Sequence, residues 1–327
     1  MTKQGSLGIA LLAALLAGCA RVDCGARAPE TSWRQYSFTY STTIPAQPAG
    51  TKRLSVWLPL PLVDPGVQDV ADLKVEAPGT TVRQTTEARY GNRMLHAVVL
   101  DPSTPATISW SATITRYQDV GQGSLPNQEW YLRANALIPV GGVALDLARE
   151  LQVDDQTVPV ATRAQTVYDD VLAAMAYDKK HDGWGQGSFE HATTVCMGNC
   201  TDFHARFIGT MRAARIPSRF TMGIPMTPGA GEYDSYHCWA HWLDGEHWKP
   251  VDISEADKIV ANDPELAARF FGRLGYDRLA LSIGRDITLE PPQQSGPLNY
   301  FVFPHAEADG QKVNLSKSDW TFTWSDA

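Results

Sequence analysis

The feature that most constrains the fold is an Asp-Gly pair, Asp244-Gly245, between two runs rich in aromatic residues. An Asp-Gly pair in that setting is a strong signal for a β-hairpin with a two-residue turn. Such a turn fixes the strand register, so Leu243 is predicted to face Glu246 and, further along, His237 to face Asp252. Directly opposed residues share one face of the sheet, with Cβ atoms about 4.5–5.5 Å apart. The turn therefore predicts an imidazole beside a carboxylate.

Pro250 is the weak point of this pairing. Proline has no N–H to donate to the strand ladder, so the pairing can break or bulge at this residue. A slip of one residue would put His237 and Asp252 on opposite faces of the sheet. The alternative to a functional pair is a cross-strand pair at the surface, which contributes under about 1 kcal/mol to stability.

Cys200 lies at the start of a predicted helix. Phe203, Phe207 and Met211 recur at helical spacing as its buried stripe, and Pro217 ends it. Free backbone N–H groups and the helix dipole favour negative charge in the first turn, which lowers the pKa of a thiol there. Since the thiolate is the reactive form, Cys200 is a candidate nucleophile. A buried or disulfide-bonded cysteine fits the same pattern.

A His–Asp pair has a defined role beside a thiol. The carboxylate accepts from one ring nitrogen and orients the imidazole, while the other nitrogen serves the sulfur as base and later as acid. His204 and His241 compete for the role of base, and we expect both to be structural. A metal site of His204, His237 and His241 is a further alternative, although the cysteine spacings match no common zinc pattern.

Four segments together resemble the bacterial transglutaminase-like superfamily, and the resemblance covers about residues 160–260. They are Gly198-Asn199-Cys200-Thr201-Asp202-Phe203, Arg212-Ala213-Ala214-Arg215-Ile216-Pro217-Ser218-Arg219-Phe220, His237-Cys238-Trp239-Ala240 and Trp248-Lys249-Pro250-Val251-Asp252. The tail resembles the C-terminal extension of the same bacterial subgroup, through Gly284-Arg285-Asp286 and Leu298-Asn299-Tyr300-Phe301.

The resemblance implies an α+β fold with a papain-like core, in which helices pack on an antiparallel sheet. It implies that Cys200 is the nucleophile, His237 the base and acid, and Asp252 the residue that orients His237. Attack on an amide or ester carbonyl would form a thioester, which water or an amine resolves. The Cys200 N–H and the Trp184 indole would hold the oxyanion. No metal or other cofactor is implied.

The implied function is therefore that of a peptidase, amidase or transamidase. Its substrate would be a protein, a peptide or a peptidoglycan peptide. The alternative is a catalytically silent binding or assembly module that has kept the fold.

The predicted domain organisation follows from the pattern of strands and helices. Strands are predicted over 33–42, 54–58, 93–100 and 106–117, which indicates an N-terminal β-sandwich over residues 33–118. Residues 119–130 read as a linker. The transglutaminase-like domain is assigned to 135–327, with a β-rich C-terminal extension after residue 278.

The N-terminus predicts export and a lipid anchor. Residues 1–18 contain a short apolar run, too short to span a bilayer, which fits a signal peptide. They end before Cys19 in Leu16-Ala17-Gly18-Cys19, which resembles the lipobox of bacterial lipoproteins. The resemblance implies lipidation of the Cys19 thiol and a tether over residues 19–32. The expected location is the cell envelope, at the periplasmic face of the outer membrane.

Composition limits the partners. The 327 residues are 43% hydrophobic, carry a net charge of −8 and contain no Lys/Arg run, which argues against nucleic acid as a partner. An exported protein can form disulfides. Oxidation of Cys196 onto Cys200 would switch the enzyme off, and a Cys196–Cys238 bridge is the preferred alternative because Cys238 points away from the His237 face.

Overall fold

A computed structural model describes residues 33–121 and 128–327 of the chain. The predicted signal peptide (1–18), the tether (19–32), the lipidation residue Cys19 and Cys24 lie outside the described residues. None of the helices in the two described ranges is long and apolar enough to cross a bilayer.

The described residues form sixteen β-strands, six α-helices and two short 3₁₀ helices. The strands are β1 (Trp33–Ile44), β2 (Arg53–Pro59), β3 (Gln68–Glu76), β4 (Thr81–Thr86), β5 (Arg93–Leu100), β6 (Ala106–Tyr117), β7 (Ala176–Tyr177), β8 (Met197–Gly198), β9 (Ser218–Pro225), β10 (Ala230–Tyr233), β11 (His237–Asp244), β12 (His247–Val251), β13 (Arg278–Ile283), β14 (His305–Ala308), β15 (Gln311–Lys312) and β16 (Trp320–Asp326). The helices are α1 (Val143–Glu150), α2 (Val160–Ala174), α3 (Phe189–Thr194), α4 (Cys200–Ala213), α5 (Ile253–Ile259) and α6 (Pro264–Ala268), with 3₁₀ helices at Gln128–Leu132 and Lys317–Asp319.

Two five-stranded antiparallel sheets make up the β-rich part, in the orders β10-β16-β1-β6-β3 and β15-β14-β2-β5-β4. The predicted alternation in β6 is present, since Ile108, Trp110, Ala112 and Ile114 are buried and the residues that alternate with them are more exposed. Aromatic and aliphatic residues of both sheets belong to one core cluster. The C-terminal strands β16 and β14 pair with β1 and β2, so strands from both ends of the described chain share these sheets.

The chain is packed against the body at residue 119, where the predicted linker over 119–130 begins, and again at residue 131, directly after it. Asp119 is buried and forms a backbone bridge with Leu274. Tyr131, in the 3₁₀ helix that begins at Gln128, is buried with its ring centroid 4.9 Å from that of Trp248. Within the predicted linker, Asp119 and Gly121 are buried, whereas Gln128 and Trp130 are partly exposed and Glu129 is exposed.

The third sheet has the order β12-β11-β9-β13, and α4 packs on its two central strands, β11 and β9. Every residue of α4 is buried. A helix that is buried on all sides must be covered by other elements, and α1, α2 and α3 pack against it. The predicted α+β class, with helices on an antiparallel sheet preceded by a β-rich region, is confirmed.

The β11–β12 hairpin forms, but its register differs from the predicted one. Gly245 and Glu246 make the turn, so Asp244 pairs with His247, whereas Leu243 was predicted to face Glu246. Gly245 has a positive φ of 61°. The turn accepts a glycine at its first position as readily as at its second, and strand packing decides between them. The prediction that His237 lies directly opposite Asp252 is therefore wrong.

The change of register nevertheless keeps the two residues on one face. Moving the turn by one residue changes each cross-strand partner by two residues, and side chains two apart along a strand share a face. The ladder ends at Ala240 and Val251. If it continued, Asp252 would lie opposite Trp239, two residues from His237, which makes His237 and Asp252 diagonal neighbours.

Pro250 does not break the pairing. It lies in β12, the edge strand, opposite His241. Its carbonyl accepts from the Gly272 N–H at 2.8 Å, on the side away from β11. Since the nitrogen and carbonyl of one residue point to the same side of a strand, the missing N–H of Pro250 costs the ladder no hydrogen bond.

Candidate active site

The first residues of α4 and β11 and the residue after β12 lie at one place, which brings the predicted residues together. Cys200 is the first residue of α4, His237 is the first residue of β11, and Asp252 follows β12 as the N-cap of α5. The His237 Nε2 lies 2.7 Å from the Asp252 Oδ2. This leaves the other ring nitrogen for the Cys200 sulfur, which is within hydrogen-bonding reach of the imidazole.

The start of α4 is fixed by its own side chains. The Asn199 side chain accepts from the Thr201 N–H at 2.9 Å, and the Asp202 carboxylate accepts from the Asn199 N–H at 2.9 Å. This is a capping box, which satisfies donors that a helix end otherwise leaves free. Cys200 therefore projects from a rigid first turn, where the helix dipole favours a thiolate.

The charges of Cys200 and His237 support each other. Burial opposes the thiolate, but hydrogen bonds from Cys238 and His237 and the charge of His237 lower the pKa of Cys200 to about 5. Burial also opposes the imidazolium, but the charge and hydrogen bond of Asp252, with those of Cys200, raise the pKa of His237 to about 10. Between these two values the pair is a thiolate and an imidazolium.

Asp252 is fully buried and all of its acceptor positions are used. Its Oδ2 accepts from His237 and also from the Arg278 Nη1 at 2.8 Å, while its Oδ1 accepts from the Ser254 hydroxyl at 3.0 Å and the Glu255 N–H at 3.2 Å. Burial opposes the charged form, but His237 and Arg278 together hold the pKa of Asp252 well below its usual range.

Arg278 was missed by the sequence analysis. It is a single charge at the start of an apolar strand, β13, and nothing local to it points to the site. With Arg278, the site contains two buried cations and two buried anions when Cys200 is ionised, so the group is charge-balanced.

Comparison with known proteins finds a family model that matches the part of the chain containing this site. The family model of the transglutaminase-like superfamily matches residues 146–253, a range that includes Cys200, His237 and Asp252. Residues 146–253 are thus similar to a transglutaminase-like domain.

Two individual proteins are similar over most of the chain. An uncharacterised protein of Haemophilus influenzae (strain Rd) is 25% identical, with 86% of this chain and 87% of that protein aligned. A solved structure from Cytophaga hutchinsonii, which carries the provisional name of cysteine protease, covers 90% of this chain and 100% of its own, with a TM-score of 0.51 at 14% identity. At this identity the likeness shows a shared fold.

In the transglutaminase-like domain, the glycine-rich loop before α3 is tied to the start of α4. The Asp202 carboxylate accepts from the N–H groups of Gly185 at 2.7 Å and Gly187 at 2.9 Å. Arg285 holds the other side of the loop by donating to the Gln186 carbonyl at 2.7 Å. Trp184, the predicted oxyanion donor, is therefore in a fixed loop beside α4, and this residue is 38% exposed.

Tyr236 is a second neighbour of the nucleophile that the sequence analysis missed. Its hydroxyl accepts from the Asn199 Nδ2 at 3.0 Å and is also hydrogen-bonded to Tyr300. Burial, and then the charge of Cys200, raise the pKa of Tyr236, so the phenol stays neutral. The residue directly precedes His237 in sequence, and that adjacency was the one signal available.

His204 and His241 have partners of their own. Burial lowers the pKa of each to about 4, so both are neutral. The His204 Nδ1 donates to the Cys200 carbonyl at 2.7 Å, and its Nε2 accepts from the Ile253 N–H at 3.2 Å. The His241 Nε2 donates to Asp119 at 2.9 Å. Among the described residues no cluster of three or more His, Cys, Asp or Glu could hold a metal.

The preferred Cys196–Cys238 bridge is absent, and the three described cysteines are all free thiols. The Cys196 sulfur donates to the Thr193 carbonyl at 3.4 Å. The Cys238 sulfur lies 3.7 Å from the His204 Nδ1, on the side of the sheet that α4 covers. The prediction is wrong because the two sulfurs have separate partners on different elements.

Proposed function

We propose that the protein is a thiol acyl-transfer enzyme, a peptidase, amidase or transamidase, which cleaves amide bonds through a thioester on Cys200. The observation that carries the proposal is the buried, charge-balanced group of Cys200, His237, Asp252 and Arg278 at the start of a helix. An arrangement that serves only stability has no need of a thiolate, whereas acyl transfer requires one.

The proposed reaction begins when the Cys200 thiolate attacks the carbonyl carbon of an amide. The carbon–sulfur bond forms, and the carbonyl electron pair moves to oxygen, which accepts from the Cys200 N–H. When the tetrahedral intermediate collapses, the carbon–nitrogen bond breaks and the leaving amine takes the proton of the His237 imidazolium. A thioester and a neutral imidazole remain.

The second half resolves the thioester. Neutral His237 takes a proton from a water or an amine, which attacks the thioester carbon and releases the Cys200 thiolate. Water gives hydrolysis and an amine gives transamidation. Asp252 holds the imidazole in place throughout, and Arg278 fixes the carboxylate. The proposed substrates are proteins, peptides or peptidoglycan peptides of the cell envelope.

Alkylation by iodoacetamide tests the thiolate directly. The pKa of Cys200 is about 5 and that of His237 about 10. We therefore expect the rate of Cys200 labelling to rise around pH 5 and to be close to its maximum by pH 7. The His237→Ala variant removes the cation, so its midpoint should rise towards about 8.5, the value of an ordinary thiol. The measurement is peptide mass spectrometry between pH 4 and 9.

The same spectra contain an internal control. The pKa of Cys238 lies well above its usual range because it is buried beside Cys200, so Cys238 should stay unlabelled throughout. A reduced wild-type protein whose Cys200 remains unlabelled below pH 8 would count against the enzymatic proposal.

The second oxyanion donor is tested by two conservative variants. We propose the Trp184 indole, so Trp184→Phe should lower kcat by about 10²-fold with little change in KM. Tyr236→Phe, which removes the hydroxyl near Asn199, is the matched comparison. A larger loss of kcat in Tyr236→Phe than in Trp184→Phe would contradict the choice of Trp184 and assign the donor to the phenol.

The proposed location in the envelope rests on Cys19 and its lipobox. Acyl chains on this residue would contribute about 0.8 kcal/mol of membrane affinity per buried CH₂. In the source bacterium we expect Cys19→Ser to move the protein from the membrane to the soluble fraction, while Cys24→Ser leaves it membrane-bound. Retention of the Cys19→Ser protein in the membrane fraction would refute the lipid anchor.

A further inference from the structure

A pocket of about 360 Å³ lies beside the segment between α6 and β13. It is in the size range of small-ligand sites. Its walls are in part apolar, formed by Leu266, Phe270 and Tyr276. Gln118 and Gly275 complete the lining together with four charged residues: Arg269, Arg273, Asp277 and Arg278.

Positive charge dominates this pocket. Asp277 is the one carboxylate among the lining residues, against three guanidinium groups. Arg269 and Arg273 have no carboxylate within 4.0 Å in the part of the chain that the structure describes. The chain as a whole carries a net charge of −8, so the positive charge of this pocket is opposite in sign to the net charge of the protein.

Arg278 is the innermost of the three arginines. It is 3% exposed, and its buried Nε donates no hydrogen bond to any described residue, although Asp277 Oδ1 lies 3.5 Å away. Its Nη1 donates to the carboxylate of Asp252. A buried guanidinium with an unused donor favours an additional acceptor.

Phe270 gives the pocket a second contact with Asp252. The Phe270 carbonyl accepts from the Asp252 N–H at 3.0 Å. Two lining residues, Phe270 and Arg278, therefore touch the residue that orients His237. A ligand bound in the pocket would therefore contact the two residues that hold the backbone and the side chain of Asp252.

We propose that this pocket binds a carboxylate carried on an apolar body, as in an acidic peptide. Guanidinium groups match the geometry of a carboxylate and bind it through paired hydrogen bonds. The walls of Leu266, Phe270 and Tyr276 take up the hydrocarbon part of the ligand. The inference stands whether or not Cys200 is a nucleophile, because the exposed arginines of the lining, Arg269 and Arg273, take no part in the proposed reaction.

Titration calorimetry with acetyl-Phe-Glu tests the proposal, and acetyl-Phe-Gln-amide is its neutral analogue. The full-length chain is used as wild type and as Cys200→Ala, so that turnover cannot distort the result. We expect the acidic probe to bind at least about tenfold more tightly than the neutral one, with the same affinity in both proteins. Glutarate, a dicarboxylate without the aromatic group, should bind more weakly than acetyl-Phe-Glu.

The Arg269→Gln/Arg273→Gln double variant should weaken binding of acetyl-Phe-Glu by at least about tenfold. Both side chains are exposed, so the variant should keep the melting temperature of the wild type. Arg149→Gln, which changes an exposed arginine on α1, is the matched control and should not alter affinity. Equal binding of the acidic and neutral probes, or unchanged affinity in the double variant, would overturn the proposal.

Discussion

Turnover of amide substrates is expected to fall by about 10⁴-fold or more when alanine replaces Cys200, because the neighbouring thiol of Cys238 is buried and its pKa is well above its usual range. The side chain is small and 3% exposed, so the change removes a sulfur and leaves the helix start intact. A substrate is first found by profiling peptides and peptidoglycan peptides with the wild-type protein. The values of kcat/KM are then compared between the two proteins.

Cys196→Ala is the matched control for this experiment. Its thiol donates to the Thr193 carbonyl and belongs to no part of the site, so turnover should be unchanged. A cellular test separates the two functional hypotheses. If cells that carry only Cys200→Ala behave as the wild type does, the protein acts as a binding or assembly module and the enzymatic proposal is wrong.

Asp252→Asn is expected to lower kcat/KM by about 10³–10⁴-fold, although it changes the size of the side chain very little. The carboxylate is what raises the pKa of His237 to about 10, so its loss lowers that pKa and removes the imidazolium that supports the thiolate. The midpoint of Cys200 labelling should therefore move from about pH 5 towards that of an ordinary thiol. Alkylation rates across pH give this shift without any substrate.

The variant should also lose stability, because the buried cation of Arg278 is left facing a neutral amide and His237 loses its ion-pair partner. Removing one partner of a buried ion pair costs about 3–5 kcal/mol of folding free energy. Asp119→Asn separates stability from chemistry, since Asp119 is a second buried carboxylate bound to a histidine, His241. It should lower the melting temperature and leave the labelling profile of Cys200 unchanged. An unshifted profile in Asp252→Asn would contradict the role given to Asp252.

Local signals predicted most of the elements that carry the site. The helical stripe after Cys200 and the proline that follows it predicted α4, and the Asp-Gly pair predicted the β11–β12 hairpin. The register could not be predicted, because a glycine fits either central position of the turn. His237 and Asp252 are nevertheless neighbours, because the change of register moves each cross-strand partner by two residues and so keeps both side chains on one face.

The residues that sequence reasoning missed act through pairing between distant elements. Arg278 lies on β13 and Asp119 follows β6, and neither belongs to a sequence motif that points to the site. Their partners, Asp252 at the start of α5 and His241 on β11, come from other elements, so only the tertiary fold brings each pair together. Strand β3 was missed for a related reason, since it is mostly polar and one of its faces carries little apolar surface.

The pairing of β1 with β16 has a consequence for how the chain folds. Arg34 and Asp326 meet across this pair although they are 292 residues apart in sequence. Strand β1 thus lacks one of its two neighbours until almost the whole described chain has been made. Contacts of such long range slow folding, because loop-closure entropy must be overcome before the contact stabilises anything. The first sheet to begin in sequence is therefore among the last parts of the protein that can be completed.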